Sequence, residues 1–516
     1  MTENALTLAI HALSRAYPGP GGACAVLRDG GVLERHSWGY ANAELRIPFT
    51  PQSLFRICSI SKQFTCGVVL EEFPDPCVLD ADVSARLPAL TQPAPGALHL
   101  CHNQSGLRDY WAVAMLHGAP AESAFGDVEA AQVIAGTRSL QFVPGTRYSY
   151  TNQNFRLLCD IVQARTGRGF AALLRSRIFD RAGMASAILA ADTNALPDGT
   201  TGYEGTQEAG FRPAINRIFW TGDAGIAASL DDMIAWERYI DATRDDAGGL
   251  YQRLSAPVTF ADGATAAYGF GLGRRTEFGR ALTGHGGALR GWRSHRLYVP
   301  SERLSVVVLF NHLSDAQAAA RDVLRAALGE PATAQAATLA PPDWCGAYID
   351  PQTGLAARLD AAADGQVRLR FGHSAELLPV RADGSLGEDG TRVLPTPDGI
   401  RLVRPAENHA SLLRRREGAA TPDIAGRYRC TELDAELTVT ESGGVVYGGF
   451  SGFLGRGRME LLDPIAADLW ALPCPRALDH TPPGDWTLSF RRGADGAVEA
   501  VEVGCWLARG LVYARV

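Results

Sequence analysis

The chain changes texture twice along its length. Apolar residues recur at helical spacing from Ala5 to Tyr17, with His11, Ser14 and Arg15 between them, which predicts an amphipathic helix. The segments Ala23-Cys24-Ala25-Val26-Leu27, Asp29-Gly30-Gly31 and Val32-Leu33-Glu34 read as strand, turn and strand, so Cys24 to Tyr40 is a predicted hairpin. Ser59 to Phe73 is a predicted helix with Phe64, Val68 and Leu70 for burial. A stretch rich in Ala, Leu and Gly follows, read as helices and loops up to residue 245 or so. From Ala267 strands take over. Leu297 to Val299, a turn at Pro300 to Arg303, and Leu304 to Phe310 form a second hairpin, and Ala316 to Leu328 a closing helix. Strands at both ends and helices between them predict an antiparallel sheet flanked by helices.

Pro331 to Pro342, rich in Ala, Thr and Pro, reads as a linker over residues 331–342. Beyond it the pattern is strand and turn throughout. Asp343-Trp344-Cys345-Gly346-Ala347-Tyr348 recurs as Asp423-Ile424-Ala425-Gly426-Arg427-Tyr428, and an alternating strand follows each copy, Ala357 to Leu359 and Glu436 to Val439. Two all-β antiparallel barrels are therefore expected, at residues 343–417 and 418–516, since closure removes exposed strand edges.

Composition narrows the chemistry. The 516 residues are 46% hydrophobic and 20% charged, as in ordinary globular proteins, and a net charge of −7 argues against nucleic acid as partner. No apolar run approaches the roughly 18 residues that span a bilayer. Met1-Thr2-Glu3-Asn4 has no basic leader pattern, so a cytoplasmic location without membrane contact is expected. The ten cysteines are scattered, with no Cys-x-x-Cys and no zinc-like His spacing, so reduced thiols and no metal are expected. Cys58 reads as a small buried residue, not as a nucleophile.

Only one lysine stands among the 49 Lys and Arg residues. It is Lys62, three positions after Ser59 in Ser59-Ile60-Ser61-Lys62. Arginine is never deprotonated, whereas a desolvated lysine can serve as a base. Positions three apart share a helical face, and a helix start favours the charge that grows on an attacking oxygen. Two further motifs carry chemistry. Tyr150-Thr151-Asn152 offers a proton-relaying phenol that a nearby Lys62 could assist. Thr283-Gly284-His285-Gly286-Gly287 places a histidine among glycines that let a substrate backbone approach a strand.

In this order, Ser-x-x-Lys, Tyr-x-Asn and a basic residue with glycine resemble the penicillin-recognising serine hydrolases, which include β-lactamases, D,D-peptidases, and related esterases and D-aminopeptidases. Cys101 to Leu107, Ala224 to Asp232 and Tyr268 to Gly271 fit the same pattern, and the resemblance covers residues 5–330 or so. It implies an α/β (α+β) β-lactamase-like catalytic domain over residues 1–330 with Ser59 as nucleophile. Lys62 and Tyr150 would share its proton, with their two roles left undivided. Backbone N–H groups of Ser59 and Ala288, beside Gly287, would form an oxyanion hole. Asn152 would orient the substrate, His285 would sit near the acyl group or support Tyr150, and no cofactor is implied.

One departure matters. Where β-lactamases and D,D-peptidases carry Lys-Thr-Gly or Lys-Ser-Gly, this chain has His285 and Gly286. Loss of the permanent cation counts against substrates with a nearby carboxylate and favours the esterases and D-aminopeptidases. A catalytic domain followed by two barrels is similar to the D-stereospecific aminopeptidases, in which a loop of the last domain restricts the active site. The proline-rich segment 473–485 is the corresponding loop, and Asp479 the candidate anion for a substrate α-ammonium. The expected activity is release of N-terminal D-amino acids or glycine from small peptides and amides through an acyl-enzyme on Ser59. An esterase, a β-lactamase-like hydrolase and a non-catalytic sensor stay open as alternatives, as does a homodimer.

Overall fold

The computed structural model describes residues 2–331, 340–388, 390–479 and 482–516. Most of the expected linker, 332–339, lies outside the described residues, as do His480 and Thr481 of the segment 473–485.

An eight-stranded antiparallel sheet organises the first 330 residues. Its order is Tyr268–Gly269, Leu272–Glu277, Arg280–Leu289, Trp292–Val299, Leu304–Phe310, Gly21–Arg28, Gly31–Asn42 and Ile47–Pro48. The two ends of this region thus meet in the middle of one sheet, with Gly22 opposite Phe310 and Arg28 opposite Leu304. Leu304–Phe310 is buried throughout, which explains its unbroken apolar run: both faces of the sheet are covered. On one face lie the helices Thr2–Ala16 and Ala316–Leu328, whose Leu6, Ile10, Leu13, Ala319 and Val323 pack on Val26, Val306 and Val308. The other face carries the helical middle of the chain. The hairpin turn follows from its sequence, since Asp29 (φ 53°) and Gly30 (φ 71°) both adopt the left-handed conformation that tight hairpins require. The expected Ser59–Phe73 helix begins differently. A 3-10 turn, Cys58–Ile60, precedes the α-helix Ser61–Glu72, and Ser59 sits in the middle of that turn.

The C-terminal region is all antiparallel strand. Seven strands between Ala347 and Arg415 form one sheet, whose edge strands Glu376–Leu378 and Arg392–Thr396 approach each other through bridges from Val380 to Leu386 and from Leu386 to Val393. A ten-stranded sheet follows, from Gly426 to Arg515. Glu460–Leu461 pairs with Val445–Gly452 at one edge and runs on through Leu462 into Asp463–Ala466 at the other, which curls that sheet toward closure. The repeated hexapeptide is a structural repeat. Tyr348 and Tyr428 are both buried, and each donates its hydroxyl to the carbonyl four residues earlier, Trp344 O at 2.5 Å and Ile424 O at 2.6 Å. Between Leu469–Leu472 and Trp486–Arg492, residues 473–479 leave the second barrel as a strap, burying Leu478 in the hydrophobic core of the catalytic unit.

Candidate active site

Local structure puts Ser59 and Lys62 together. The Cys58–Ile60 turn tips Ser59 toward a cleft, and Lys62, in the first turn of the following helix, is fully buried behind it. Cys58 takes a left-handed φ of 52° to make this turn. Its thiol faces Arg56 O at 3.1 Å, and burial raises it to about 12, in keeping with a structural residue.

Lys62 Nζ has three neighbours: Ser59 Oγ at 2.9 Å, Asn152 Oδ1 at 2.8 Å and the Asp223 carbonyl at 2.7 Å. Two of these can only accept. A neutral amine has two N–H groups for them and one lone pair for the serine hydroxyl. Burial supports that state by lowering Lys62 to about 8, against the opposing pull of Asp223 and Asp109. Tyr150 is hydrogen-bonded to Ser59, and Lys62 Nζ lies 5.0 Å from its ring centre. Burial pushes the Tyr150 phenol well above its usual range, so it stays protonated at neutral pH. Tyr150 therefore holds its proton, which the sequence alone did not decide.

The segment that carries Tyr150 is held from two sides. Ser149 N donates to Asn103 O, Thr151 N donates to Asn103 Oδ1, and Tyr148 N donates to Glu407 O of the first barrel. Asn103 lies in the motif Cys101 to Leu107 and adopts φ 54°, a conformation that asparagine tolerates well.

Opposite the serine runs the strand Arg280–Leu289. The neighbouring strand pairs with it only as far as Gly284, so His285 to Leu289 offer a free edge on that side. Gly287 explains how this edge comes so close to the nucleophile. A Cβ there would stand 2.3 Å from Ile57 O and 2.2 Å from Ser294 Oγ. His285 Nδ1 lies 2.5 Å from Gly286 O and so carries the proton, which leaves Nε2 to accept from the Tyr268 hydroxyl at 3.1 Å. Burial, helped by the charge of Lys62, depresses this imidazole to about 3. It is a neutral group, as its replacement of a lysine implied.

A cleft of about 580 Å³ is lined by Ser59, Tyr150, Asn152, His285, Gly287, Ala288 and Asp479, so every sequence-derived candidate lines it or, like Lys62, touches a lining residue. Asp479 is buried on the strap, close enough to Arg293 for their charges to interact. Both barrels add to the wall through Glu407 and Trp506. Three residues were missed from sequence. Asp109 accepts from Asn152 N at 2.6 Å and Asn152 Nδ2 at 3.0 Å. Asp223 lends Lys62 its carbonyl. Arg290, fully buried at the end of the cleft strand, donates to Ala477 O of the strap at 2.6 Å and to Ala121 O at 2.8 Å. Asp109 and Asp223 abut motifs recognised in the sequence, but no local spacing announces that they reach Lys62. Among the described residues no cluster of His, Cys, Asp and Glu could hold a metal ion, and no helix is long and apolar enough to cross a membrane.

Comparison with known proteins agrees with this geometry. A Beta-lactamase family model matches residues 9–330, and a model described as D-aminopeptidase, domain B matches residues 337–514. The chain is 61% identical to a D-aminopeptidase of Gluconobacter oxydans (strain 621H), over 99% of this chain and 98% of that one. It is 47% identical to a D-aminopeptidase of Brucella canis, over 98% of each. Among solved structures, the octameric penicillin-binding protein homologue from Pyrococcus abyssi has a TM-score of 0.55 at 20% identity, covering 80% of this chain and 100% of that one. A D-stereospecific amidohydrolase from Streptomyces sp. has a TM-score of 0.51 at 20% identity, covering 64% and 99%. These two likenesses concern the fold.

Proposed function

The chain belongs to the D-aminopeptidase family, and we infer that it is a serine hydrolase releasing N-terminal D-amino acids or glycine from peptides and amides through an acyl-enzyme on Ser59. The observation that carries the reading is the Lys62 amine, buried, with two acceptors for its protons and Ser59 for its lone pair.

In the mechanism we propose, Lys62 draws the proton from Ser59 as the oxygen attacks the first peptide carbonyl. The Ser59 and Ala288 N–H groups receive the developing oxyanion, and the free strand edge aligns the substrate backbone. Tyr150, still protonated, gives its proton to the leaving amine, and the phenolate left behind takes from Lys62 the proton that Ser59 gave up. Water then enters by the same relay and releases the acid. Asn152 keeps Lys62 aimed, and neutral His285 shapes the end of the cleft next to Tyr150 without drawing carboxylates. Asp479, at the strap, would pair with the α-ammonium of the substrate, which fixes how far the chain can enter. The ten free thiols support a reducing, cytoplasmic setting.

One side-by-side assay tests the reading: D-Ala amide, L-Ala amide, a simple ester and a chromogenic cephalosporin. The expected result is turnover of D-Ala amide well above the L-isomer and the cephalosporin, lost in Ser59→Ala. Equal rates on the two isomers, or stable acylation without turnover, would overturn it.

A further inference from the structure

Two neighbouring residues hold the two acceptors of the Lys62 amine. Tyr110 donates its hydroxyl to Asp223 Oδ2 at 2.6 Å, steadying the residue whose carbonyl takes one Lys62 proton. Asp109 caps the same short helix, Tyr110–Leu116, by accepting from Trp111 N at 3.0 Å, and its other oxygen receives both Asn152 N and Asn152 Nδ2. The second contact decides a question of orientation. An amide side chain has a donor end and an acceptor end of nearly equal size. An ionised carboxylate can only accept, so the end of Asn152 that faces Asp109 is the NH₂, and the end that faces Lys62 is the oxygen. Were the amide reversed, its N–H would occupy the Lys62 lone pair and leave Ser59 without a base. Asp109 is itself fixed from outside the catalytic unit, since its backbone N–H donates to the Leu507 carbonyl at 2.9 Å, at the hairpin tip of the last barrel.

We propose that Asp109 is a positioning residue for this reaction: its carboxylate sets which way the Asn152 amide faces, so that the Lys62 lone pair is free for Ser59, and the last barrel completes the arrangement through Leu507. The proposal rests on the reading of Lys62 as base. Burial lifts the Asp109 carboxyl to about 6, so it is ionised where Lys62 becomes neutral. Its three N–H donors offset the cost of that buried charge. Around Lys62 the other titratable groups are Cys58 and Tyr150 beside Ser59, Asp223 behind the amine, Asp479 on the strap, His285 on the cleft strand and Cys66 on its own helix. Asp109 is the one among them that bonds the Asn152 amide, the side-chain acceptor of Lys62.

Since Lys62 is the sole lysine, enzyme grown on [ε-13C]lysine gives a single resonance whose titration reads that amine alone, without substrate. In Asp109→Asn the acceptor set and the nearby negative charge are both lost. We expect turnover to fall at least about tenfold with little change in KM, and the lysine titration to move down by about half a unit or more. Asp109→Glu keeps the charge but displaces the amide, so turnover falls while the titration stays near that of the parent. A purely structural role would reduce the folded fraction in both variants and leave the turnover of folded Asp109→Glu, which keeps the charge, at the parental value. Parental turnover or an unmoved titration in Asp109→Asn overturns the proposal. Should that variant fail to fold, Asp109→Glu decides, and parental turnover there overturns it. Failure of the serine-lysine reading would show separately, as undiminished activity in Ser59→Ala.

Discussion

The two walls of the cleft are built on different terms. Around Ser59 the polar contacts are short, buried and supplied by the catalytic unit: Lys62, Asn152, Asp109 and Asp223 form one connected set. The outer wall, beyond the strand Arg280–Leu289, is lent by the barrels. The strap reaches in with Leu478 and Asp479, while Arg290 grips its backbone at Ala477 O. The first arrangement serves proton transfer, where small displacements are costly. The second encloses the substrate, where a loop on a rigid barrel can be altered without dismantling the chemistry. The comparison teaches that the set around Ser59 and the enclosing wall come from different parts of the chain, tied together by bonds such as Asp109 N to Leu507 O and Arg290 to Ala477 O.

The comparison breaks most readily at Lys62. Lys62→Arg keeps the charge and removes the base, so turnover on every substrate should fall at least about a hundredfold in a folded protein. Steady-state rates on D-Ala amide and on a simple ester check this, and a loss confined to the amide would contradict it. Deleting Pro475 to Pro483 should act the other way. Aminopeptidase efficiency should fall about tenfold or more while bulkier esters or cephalosporins gain access, since the strap restricts the cleft and Arg290 loses its carbonyl partner. Unchanged relative rates would remove the strap from substrate selection.

A finer cut is Asp479→Asn. It should raise KM for D-Ala amide by about tenfold and leave an ester without an amino group unaffected. The pH profile divides along the same line. Lys62 must be neutral to act, so efficiency should rise with pH up to about 8, the value to which burial lowers the amine, for the amide and the ester alike. An α-amino group loses its proton at about 8 as well. The amide should therefore lose binding on the alkaline side while the ester reaches a plateau, and Asp479→Asn should flatten that alkaline limb. The smallest effect concerns the barrels. Tyr348→Phe and Tyr428→Phe should each cost about 1 kcal/mol, seen as matched falls in Tm, if the two repeats are equivalent supports.

Much of this was legible before any coordinates. The amphipathic N-terminal helix, both hairpins and the helix Ala316–Leu328 stand where their patterns put them, because each is decided by side chains a few residues apart. The Tyr348 and Tyr428 repeat was visible for the same reason. The site was legible as three short motifs and one proline-rich loop, but how they would face one another was not. Tyr150 is a case in point: the sequence identifies a phenol near a cation, and only its packed surroundings decide that it keeps its proton. Asp109 and Arg290 gave no sign at all. A carboxylate after Arg108 or a guanidinium after Leu289 has no local pattern that distinguishes it from a surface charge.

By itself, then, the amino-acid order determined the elements, the repeated barrels and the candidate residues that meet at one cleft, since helical spacing, strand alternation and a lone lysine are properties of neighbouring residues. Tertiary structure decided the protonation of those groups and their partners. Lys62 meets Asp223 across 161 positions, Asn152 meets Asp109 across 43, and Arg290 meets Ala477 across 187. Burial and charge at such contacts arise only when distant segments close around one point, and that closure is what lowers an ordinary lysine amine to about 8.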